Sequence, residues 1–203
     1  MRIFIISTLF FFIACNNLSE QGFTNKAEAR NELKNGVKEG KWIEYIDSSF
    51  NATTDSTAPY YGLIIYNAGE KWGMIHEYYK NGKILTLMPS DLTNDVVIKG
   101  YYENGLLHNE TPYTSGKING DRKEYYSSGE LHSESQYVND KINGVVKIYY
   151  KSGKLKEEDH YSEGKVNGLV KGYYESGKLQ SEITYANDSV TSIKNYDENE
   201  IKE

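Results

Sequence analysis

The sequence predicts an all-β protein, an elongated single-layer antiparallel sheet built from tandem β-hairpin repeats of 24 residues. The first observation behind this prediction is a recurring tyrosine doublet, Tyr-Tyr-x-x-Gly. Its second tyrosine recurs every 24 residues, at Tyr102, Tyr126, Tyr150 and Tyr174. A period of this size is typical of repeat arrays, in which each unit buries its apolar surface only against its neighbours.

The second observation is the pattern within one unit. Two β-rich runs, 143–150 and 155–161, flank the turn sequence Lys-Ser-Gly-Lys at 151–154. Two such runs joined by a short glycine-containing turn predict a β-hairpin. Successive hairpins laid side by side then give one long antiparallel sheet with a right-handed twist.

The third observation concerns the pairing register. If Tyr150 lies opposite Leu155, the same pairing rule brings a lysine opposite a glutamate in four hairpins: Lys99–Glu110, Lys123–Glu134, Lys147–Glu158 and Lys171–Glu182. It also sets glycines opposite tyrosines: Gly120–Tyr137, Gly144–Tyr161 and Gly168–Tyr185. Opposite charges that face each other across a strand pair stabilise the pair, whereas a one-residue shift destroys all of these matches. The register is therefore predicted from the sequence.

This register divides the side chains between two faces. The face predicted to be packed carries Val146, Ile148, Tyr150, Leu155 and Tyr161. The face predicted to be solvated carries Lys147, Tyr149, Lys156, Glu158 and His160.

The chain has five predicted segments. They are a lipoprotein signal peptide (1–14), a lipid anchor and polar tether (15–36), degenerate hairpin repeats (37–94), regular repeats (95–185) and an acidic C-terminal cap or tail (186–203). The tail begins with an Asn-Asp turn. Weak helical character is expected near residues 27–33 of the tether.

The degenerate repeats contain two traceable hairpins. The strand pairs are 41–45 with 60–66, and 73–79 with the run that begins at Ile84. Because the second hairpin holds Pro89, and Ser90 in place of the tyrosine, we expect that strand to be frayed or bulged. In the first hairpin a loop at 47–59 replaces the short turn. Loops of this length without structure of their own are either functional or disordered.

The N-terminus has the pattern of an export signal. An apolar run from Ile3 to Ala14 precedes Cys15, the only cysteine, and is too short to span a bilayer. Residues 12–15 (Phe-Ile-Ala-Cys) resemble a lipobox, which predicts lipidation at Cys15. An ordinary cleaved signal that leaves a free thiol is the alternative. The predicted location is the cell envelope, lipid-anchored at the outer membrane and facing the periplasm or the surface.

Composition and motifs argue against several functions. The net charge of −6 and the lack of a basic stripe argue against nucleic-acid binding. His108 and His132 occupy equivalent places two strands apart, about 10 Å, too far for one zinc ion. The acids at 157–159 alternate between faces, so they do not form a glycosidase pair. No enzyme activity, catalytic residue, metal or cofactor is expected.

One row of residues is the candidate binding surface. Tyr101, Tyr125, Tyr149 and Tyr173 would follow one face, beside Lys99, Lys123, Lys147 and Lys171. The tentative partner-binding residues are these four tyrosines with Lys123 and Lys147. The row can stack on sugar rings or hold a peptide, or the tyrosines simply cover the backbone of a single-layer sheet.

These motifs carry a family resemblance. The repeated Tyr-Tyr-x-x-Gly-Lys-Leu-x-x-Glu, with Gly-Lys-x-Asn-Gly connectors, resembles the bacterial variant of the MORN repeat, found in YwqK-type antitoxin-like proteins. The resemblance covers roughly residues 36–185 and is strongest in the last four units. It implies a β-hairpin array and a role in protein interaction.

The expected function is a non-catalytic, membrane-anchored scaffold that binds an unknown protein partner in the envelope. Its contact with the membrane is expected through the lipid anchor only. One alternative is an envelope glycan-binding module that uses the tyrosine row, and a second is an antitoxin-like neutraliser of a partner protein. A hydrolase within the degenerate N-terminal half, motivated only by the irregular loop at 47–59, is a further hypothesis.

Overall fold

The computed structural model describes residues 22–199. The predicted signal peptide (1–14) and the predicted lipidation site, Cys15, lie outside the described residues. The last four residues of the predicted C-terminal tail, 200–203, lie outside them as well.

The described residues form 17 β-strands and a one-turn 3-10 helix, Lys26–Glu28. No α-helix occurs within residues 22–199. The strands are β1 (Glu32–Lys34), β2 (Val37–Ile46), β3 (Ala52–Thr53), β4 (Tyr60–Asn67), β5 (Glu70–Tyr79), β6 (Ile84–Pro89), β7 (Val96–Tyr101), β8 (Leu107–Thr114), β9 (Lys117–Ile118), β10 (Gly120–Tyr125), β11 (Leu131–Val138), β12 (Lys141–Tyr149), β13 (Leu155–Ser162), β14 (Lys165–Val166), β15 (Gly168–Tyr173), β16 (Leu179–Ala186) and β17 (Ser189–Asn195).

The strands form one open antiparallel sheet in which neighbours in the chain are neighbours in space. The long strands β2, β4, β5, β6, β7, β8, β10, β11, β12, β13, β15, β16 and β17 pair in that order. The short strands β3, β9 and β14 extend the hairpin ends. The prediction of an all-β array of hairpin repeats is confirmed.

The predicted register holds over most of each regular hairpin. All four lysine–glutamate pairs are observed: Lys99↔Glu110, Lys123↔Glu134, Lys147↔Glu158 and Lys171↔Glu182. The glycine–tyrosine pairs Gly120↔Tyr137, Gly144↔Tyr161 and Gly168↔Tyr185 are observed too.

The predicted pairing of Tyr150 with Leu155 is wrong. The partner of Leu155 is Tyr149, because the register shifts by one residue between Ile148 and Tyr149. Tyr150 instead closes the turn: its carbonyl accepts from the Gly153 N–H (2.9 Å) and its N–H donates to the Lys154 carbonyl (2.8 Å). Gly153 has φ = 81°, a left-handed conformation that glycine adopts without a steric penalty.

The bulge also corrects two assignments to a face. Leu155 was predicted on the packed face, yet it lies opposite Tyr149, and residues that face each other across a strand pair point to the same side, so Leu155 lies on the other face. Lys156 was predicted on the solvated face, yet its ammonium lies 5.8 Å from the centre of the Tyr150 ring on the packed face. The equivalent residues in the two preceding hairpins are histidines that contact the equivalent tyrosines. The ring centroids are 4.3 Å apart for Tyr102–His108 and 4.6 Å for Tyr126–His132.

The second tyrosine of each doublet joins its unit to the next one. Its hydroxyl donates to a backbone carbonyl of the following unit: Tyr79 to Tyr101 O (2.8 Å), Tyr102 to Tyr125 O (2.6 Å), Tyr126 to Tyr149 O (2.7 Å), Tyr150 to Tyr173 O (2.7 Å) and Tyr174 to Tyr196 O (2.9 Å). We call these five contacts the inter-unit tyrosine bonds.

Each inter-unit tyrosine bond begins where the strand pairing between two units ends. The ladder between β11 and β12 stops at Ser133↔Ile148, and the next carbonyl, that of Tyr149, accepts from Tyr126. The phenol therefore satisfies a carbonyl that the ladder leaves without a strand partner.

Burial is concentrated in the first units, where two apolar clusters lie on opposite sides of the sheet. One contains Phe23, Leu63 and Tyr78, and the other contains Ile64, Tyr66 and Ile75. In the regular units the buried side chains are Thr111, Ser133, Val146 and Asp159, all on the predicted packed face. The packed face is thus the more buried face in the regular units.

The segment that precedes the first hairpin differs from the predicted tether. Its described part, 22–36, is packed on the sheet: Phe23 is only 5% exposed, and β1 pairs with β2. The expected helical character is limited to the single 3-10 turn at Lys26–Glu28.

The loop at 47–59 has structure of its own, contrary to expectation. It contains β3, which pairs with the end of β2. The Asp47 carboxylate accepts from the N–H groups of Ser49 (2.8 Å) and Asn51 (2.9 Å), and the Phe50 ring stacks on Tyr60 at 5.0 Å. The interpretation as a structureless loop is wrong.

Two further expectations concern strand ends. The strand with Pro89 is not frayed, since β6 pairs with β5 up to Met74↔Pro89. The register shift in this hairpin, at Glu77/Tyr78, lies at the doublet as in the regular hairpins and is not an effect of Pro89. The predicted C-terminal tail begins with the Asn187–Asp188 turn (φ = 48° and 66°) and continues as β17, which pairs with β16.

The inter-unit tyrosine bonds can be tested with a single-atom deletion. We expect Tyr126→Phe to lower the free energy of unfolding by about 1 kcal/mol, because the Tyr149 carbonyl loses its partner while the ring packing remains. Urea unfolding measures the difference. Tyr137→Phe is the matched control, since the Tyr137 hydroxyl makes no hydrogen bond within residues 22–199, and equal effects of both changes would contradict the assigned role.

Candidate functional site

The candidate binding residues share the sheet face opposite the packed face. The first tyrosine of each doublet and the lysine two residues before it point to the same side, because side chains alternate along a strand. We call this side the tyrosine–lysine face; it carries Tyr101, Tyr125, Tyr149 and Tyr173 with Lys99, Lys123, Lys147 and Lys171. Seven of the eight residues are half-buried, and Lys99 is exposed.

Two of these tyrosines form hydrogen bonds with glutamates of the preceding unit. Tyr125 donates its hydroxyl to Glu110 (2.9 Å) and Tyr149 donates to Glu134 (3.1 Å). The same glutamates form ion pairs, Lys99–Glu110 at 2.9 Å and Lys123–Glu134 at 3.6 Å. Two of the candidate tyrosines therefore also hold the array together, as the structural interpretation of the row expects.

These contacts change the acidities of the groups. Burial raises the pKa of Tyr125 to about 12, and the hydrogen bond to Glu110 adds to the rise. The pKa of Glu110 lies below its ordinary value, because Lys99 and Tyr125 both donate to the carboxylate. Near neutral pH Tyr125 is therefore a neutral phenol that donates to the ionised carboxylate of Glu110.

A polar hollow of about 390 Å³ opens on this face in the regular units. Both tentative partner-binding lysines, Lys123 and Lys147, line it. The remaining lining residues are Asp121, Glu134, Ser135, Gln136, Val145 and Glu158. With cations and carboxylates side by side, the polar hollow can bind groups of either charge and neutral hydrogen-bonding groups.

An apolar hollow of about 360 Å³ lies at the border between the degenerate and the regular units. Its lining combines Met74, Leu87, Pro89, Val96, Val97 and Tyr101 with Asp91, Asn94, Asp95 and Lys99 at the rim. β6 and β7 pair at two positions, as β8 and β10 do, but the connector 90–95 contains no short strand like β9 or β14, which leaves the hollow beside it.

Sequence reasoning missed this apolar hollow, although a signal existed. Pro89 and the connector after it break the repeat, and Val97 then falls on the face that otherwise carries charges. Val97 is 51% exposed. An exposed apolar residue on a polar face marks a surface available for contact.

A segment of the chain itself already covers part of the tyrosine–lysine face. Phe23 packs on Leu63 and Tyr78, and the Lys26 ammonium lies 4.6 Å from the centre of the Tyr61 ring. Gly22 lies so close to the face that a Cβ there would be 3.1 Å from the Cβ of Met74. Since Met74 also lines the apolar hollow, the covered region and the hollow adjoin.

Other candidates for chemistry have structural partners instead. His160 lies with its Nδ1 2.8 Å from the Leu169 carbonyl, and His108 and His132 contact tyrosine rings as described. Within residues 22–199 no group of three or more His, Cys, Asp or Glu side chains could hold a metal ion.

The acids at 157–159 alternate between faces as predicted, since Glu158 pairs with Lys147 while its neighbours pair with Val146 and Ile148. Burial raises the pKa of Asp159 to about 6, and the charge of Glu157 adds to the rise. Neither hollow includes Asp159.

Within the described part of the chain, no helix has the length and apolar character needed to cross a bilayer.

The glutamate contacts predict a pH dependence. The Glu110 pKa is lowered in the folded protein, so its stabilisation is present above the ordinary value of 4.5 and is lost as the pH falls through the lower folded value. We expect Glu110→Gln to reduce the free energy of unfolding by roughly 1 kcal/mol at neutral pH, with the difference vanishing once the pH is below the lowered pKa of folded Glu110.

Urea unfolding at a series of pH values measures this difference. Glu163→Gln is the control, because the side chain of Glu163 is 68% exposed and its ion pair with Lys141 should contribute little. A difference for Glu110→Gln that does not change with pH would contradict the assigned electrostatic role.

Comparison with known protein families finds a similar repeat in part of the chain. Three tandem segments, 118–139, 142–163 and 166–187, match the family model described as the MORN repeat variant. No curated protein matches the chain. Repeats of this kind are generally modules for interaction with proteins or membranes and are typically non-catalytic. The three matches begin 24 residues apart, so the regular part of this array is similar to the MORN repeat variant in both sequence and period.

Proposed function

We propose that this protein is a non-catalytic repeat scaffold that binds an extended segment of a partner protein on its tyrosine–lysine face. The observation that carries the proposal is the cover formed by residues 22–29, a peptide that this face already binds within the same chain. The similarity of three units to an interaction repeat supports the same conclusion.

The bound segment indicates the chemistry of a suitable partner. It is held by an apolar anchor, Phe23, and by a cation, Lys26, whose ammonium lies over the Tyr45 and Tyr61 rings at 5.2 and 4.6 Å. The ion pair between Glu28 and Lys41 adds a carboxylate contact. Aromatic, cationic and carboxylate groups thus all take part in peptide binding on this face.

The uncovered part of the face offers the same kinds of contact. The apolar hollow can take an apolar anchor, and its volume of about 360 Å³ lies within the range of roughly 300–1,000 Å³ for ligand pockets. The polar hollow supplies Lys123, Lys147 and Glu158 for charged or hydrogen-bonding groups. We propose that the partner places an apolar side chain in the first and polar side chains in the second.

The proposed location is the cell envelope, with the scaffold anchored to a membrane by lipid on Cys15. Support comes from the sequence: an apolar run from Ile3 to Ala14 leads directly to the only cysteine. The packed segment 22–36 leaves residues 16–21 between the proposed lipid and the folded array. The partner is accordingly an envelope protein.

Affinity capture from envelope extract tests the binding surface. We expect Val97→Asp to reduce capture of the partner about tenfold or more, because it buries a charge in the apolar hollow. The double change Lys123→Glu with Lys147→Glu should have a comparable effect through the polar hollow. Quantitative mass spectrometry of the retained proteins, with the full chain as bait, measures both.

Val138→Asp is the matched control for Val97→Asp. Val138 is similarly exposed (44%) and lines neither hollow. Equal loss of the partner with both changes, or no loss with either, would rule out the tyrosine–lysine face as the binding surface. Retention of polysaccharide and of no protein would support the glycan-binding alternative instead.

The anchor is tested separately. We expect Cys15→Ala to abolish labelling by a fatty-acid analogue and to move the protein from the membrane fraction to the soluble fraction, because the thiol is the acceptor of the lipid. Ser19→Ala, a change outside the lipobox, is the control. A Cys15→Ala protein that still fractionates with membranes would disprove anchoring at this residue.

A further inference from the structure

The two edges of the sheet differ in whether other segments of the described chain cover them. At the first edge, the outer side of β2 is covered by β1 and β3. Between them, the Asn31 side chain donates to the Ile43 carbonyl (3.1 Å) and accepts from the Ile43 N–H (2.9 Å), and Arg30 N–H donates to the Lys41 carbonyl (2.9 Å). This edge therefore cannot readily accept another strand.

Within residues 22–199, the last edge, β17, has no covering segment of this kind. Among residues 22–199, β17 pairs only with β16, so its outer side has no strand partner. All seven of its residues are exposed, it contains no proline, and Lys194 is its only charged residue. Natural sheet edges are usually protected by short length, proline, charges or a covering segment.

Alignment of β17 with the strands of the regular hairpins shows which strand is missing beside it within residues 22–199. Lys194 pairs with Glu182 in the same way that Lys147 pairs with Glu134. Lys194 is therefore equivalent to Lys147, and the residue before it, Ile193, is equivalent to Val146. Val146 lies between two strands and is 8% exposed, whereas Ile193, with a strand on one side only, is 60% exposed. The inter-unit tyrosine bond from Tyr174 to Tyr196 marks the same position. β17 is thus the first strand of a hairpin whose second strand is absent from the described residues.

The regular hairpins define the chemistry of that second strand. In all four of them a leucine lies opposite the first tyrosine of the doublet and a glutamate lies opposite the lysine. The second strands share the pattern Leu-x-x-Glu: Leu107–Glu110, Leu131–Glu134, Leu155–Glu158 and Leu179–Glu182.

We infer that the β17 edge is a docking site for an extended Leu-x-x-Glu segment of another polypeptide, which completes the hairpin with its leucine opposite Tyr196 and its glutamate opposite Lys194. Backbone hydrogen bonds to the edge supply affinity, and the Glu–Lys194 pair sets the register. Burial of Ile193 adds apolar contact. This site is separate from the tyrosine–lysine face and does not depend on the proposed function there.

The probe is a peptide with the sequence of Leu179–Ala186, titrated to about 1 mM into the isotope-labelled full chain, because a single short strand should bind weakly. We expect saturable shifts of the β17 amide resonances and no shift in β2. The E182K version of the peptide should bind about three- to tenfold more weakly.

Charge exchange distinguishes this contact from a general effect on folding. In a Lys194→Glu protein the preference should reverse, so that the E182K peptide binds more tightly than the original. Lys117→Glu, which changes an exposed lysine in another hairpin, should leave the original preference intact. A Lys194→Glu protein that binds both peptides equally would overturn the assigned register and the proposal.

Two other occupants of the edge have distinct outcomes. Concentration-dependent dimers in sedimentation that Lys194→Glu abolishes would show a second copy on β17 and would overturn the proposal. Slow hydrogen exchange of the outward β17 amides before any peptide is added would show that the chain covers its own edge, with the same consequence. Absence of β17 shifts at the highest peptide concentration would also refute it.

Discussion

The hydrogen bond from a tyrosine hydroxyl to a backbone carbonyl one unit ahead is the contact on which this array depends. The antiparallel ladder between two units is short, and it stops next to the bulge at the doublet. There the tyrosine of the preceding unit reaches across: Tyr150 bonds to the Tyr173 carbonyl immediately after the last ladder pair, Glu157↔Gly172. Because the phenol is long, half-apolar and ends in a donor, it covers the backbone with its ring while satisfying the carbonyl with its hydroxyl. The bond forms at every junction from Tyr79 to Tyr196, so each unit is attached to the next in the same way.

A sheet one layer thick has no second layer to bury its side chains, and the two faces solve this problem in different ways. On the packed face the second tyrosines lie over their neighbours, and histidines or a lysine fill the place beside each ring, as Tyr126 and His132 show. On the tyrosine–lysine face, Glu110 and Glu134 each form an ion pair with a lysine of one adjacent strand and accept a hydrogen bond from a tyrosine of the other. The second face is therefore held together by polar contacts that leave it half-exposed, and it is the face on which we propose that a partner binds.

The degenerate units serve a different purpose from the regular ones. They hold both apolar clusters, seal the first edge of the sheet and bind residues 22–29 on the tyrosine–lysine face. The regular units are thinner, and within residues 22–199 their last strand, β17, pairs only with β16. The described array thus has one covered, well-packed end and one end whose last strand has no strand partner on its outer side.

The sequence by itself determined the all-β class, the period and most of the register, because a repeated lysine–glutamate match allows only one alignment of two strands. It also placed Tyr125, Tyr149, Lys123 and Lys147 on one face, since alternation along a strand is independent of context. Only the tertiary structure decided where alternation fails: the bulge that pairs Leu155 with Tyr149 and turns Lys156 to the packed face is an extra residue with no separate signal. The structure also decided that 22–36 folds onto the sheet and that 47–59 is ordered, and it placed the apolar hollow beside Val97. Each of these depends on contacts that occur once in the chain, whereas a period describes only contacts that recur.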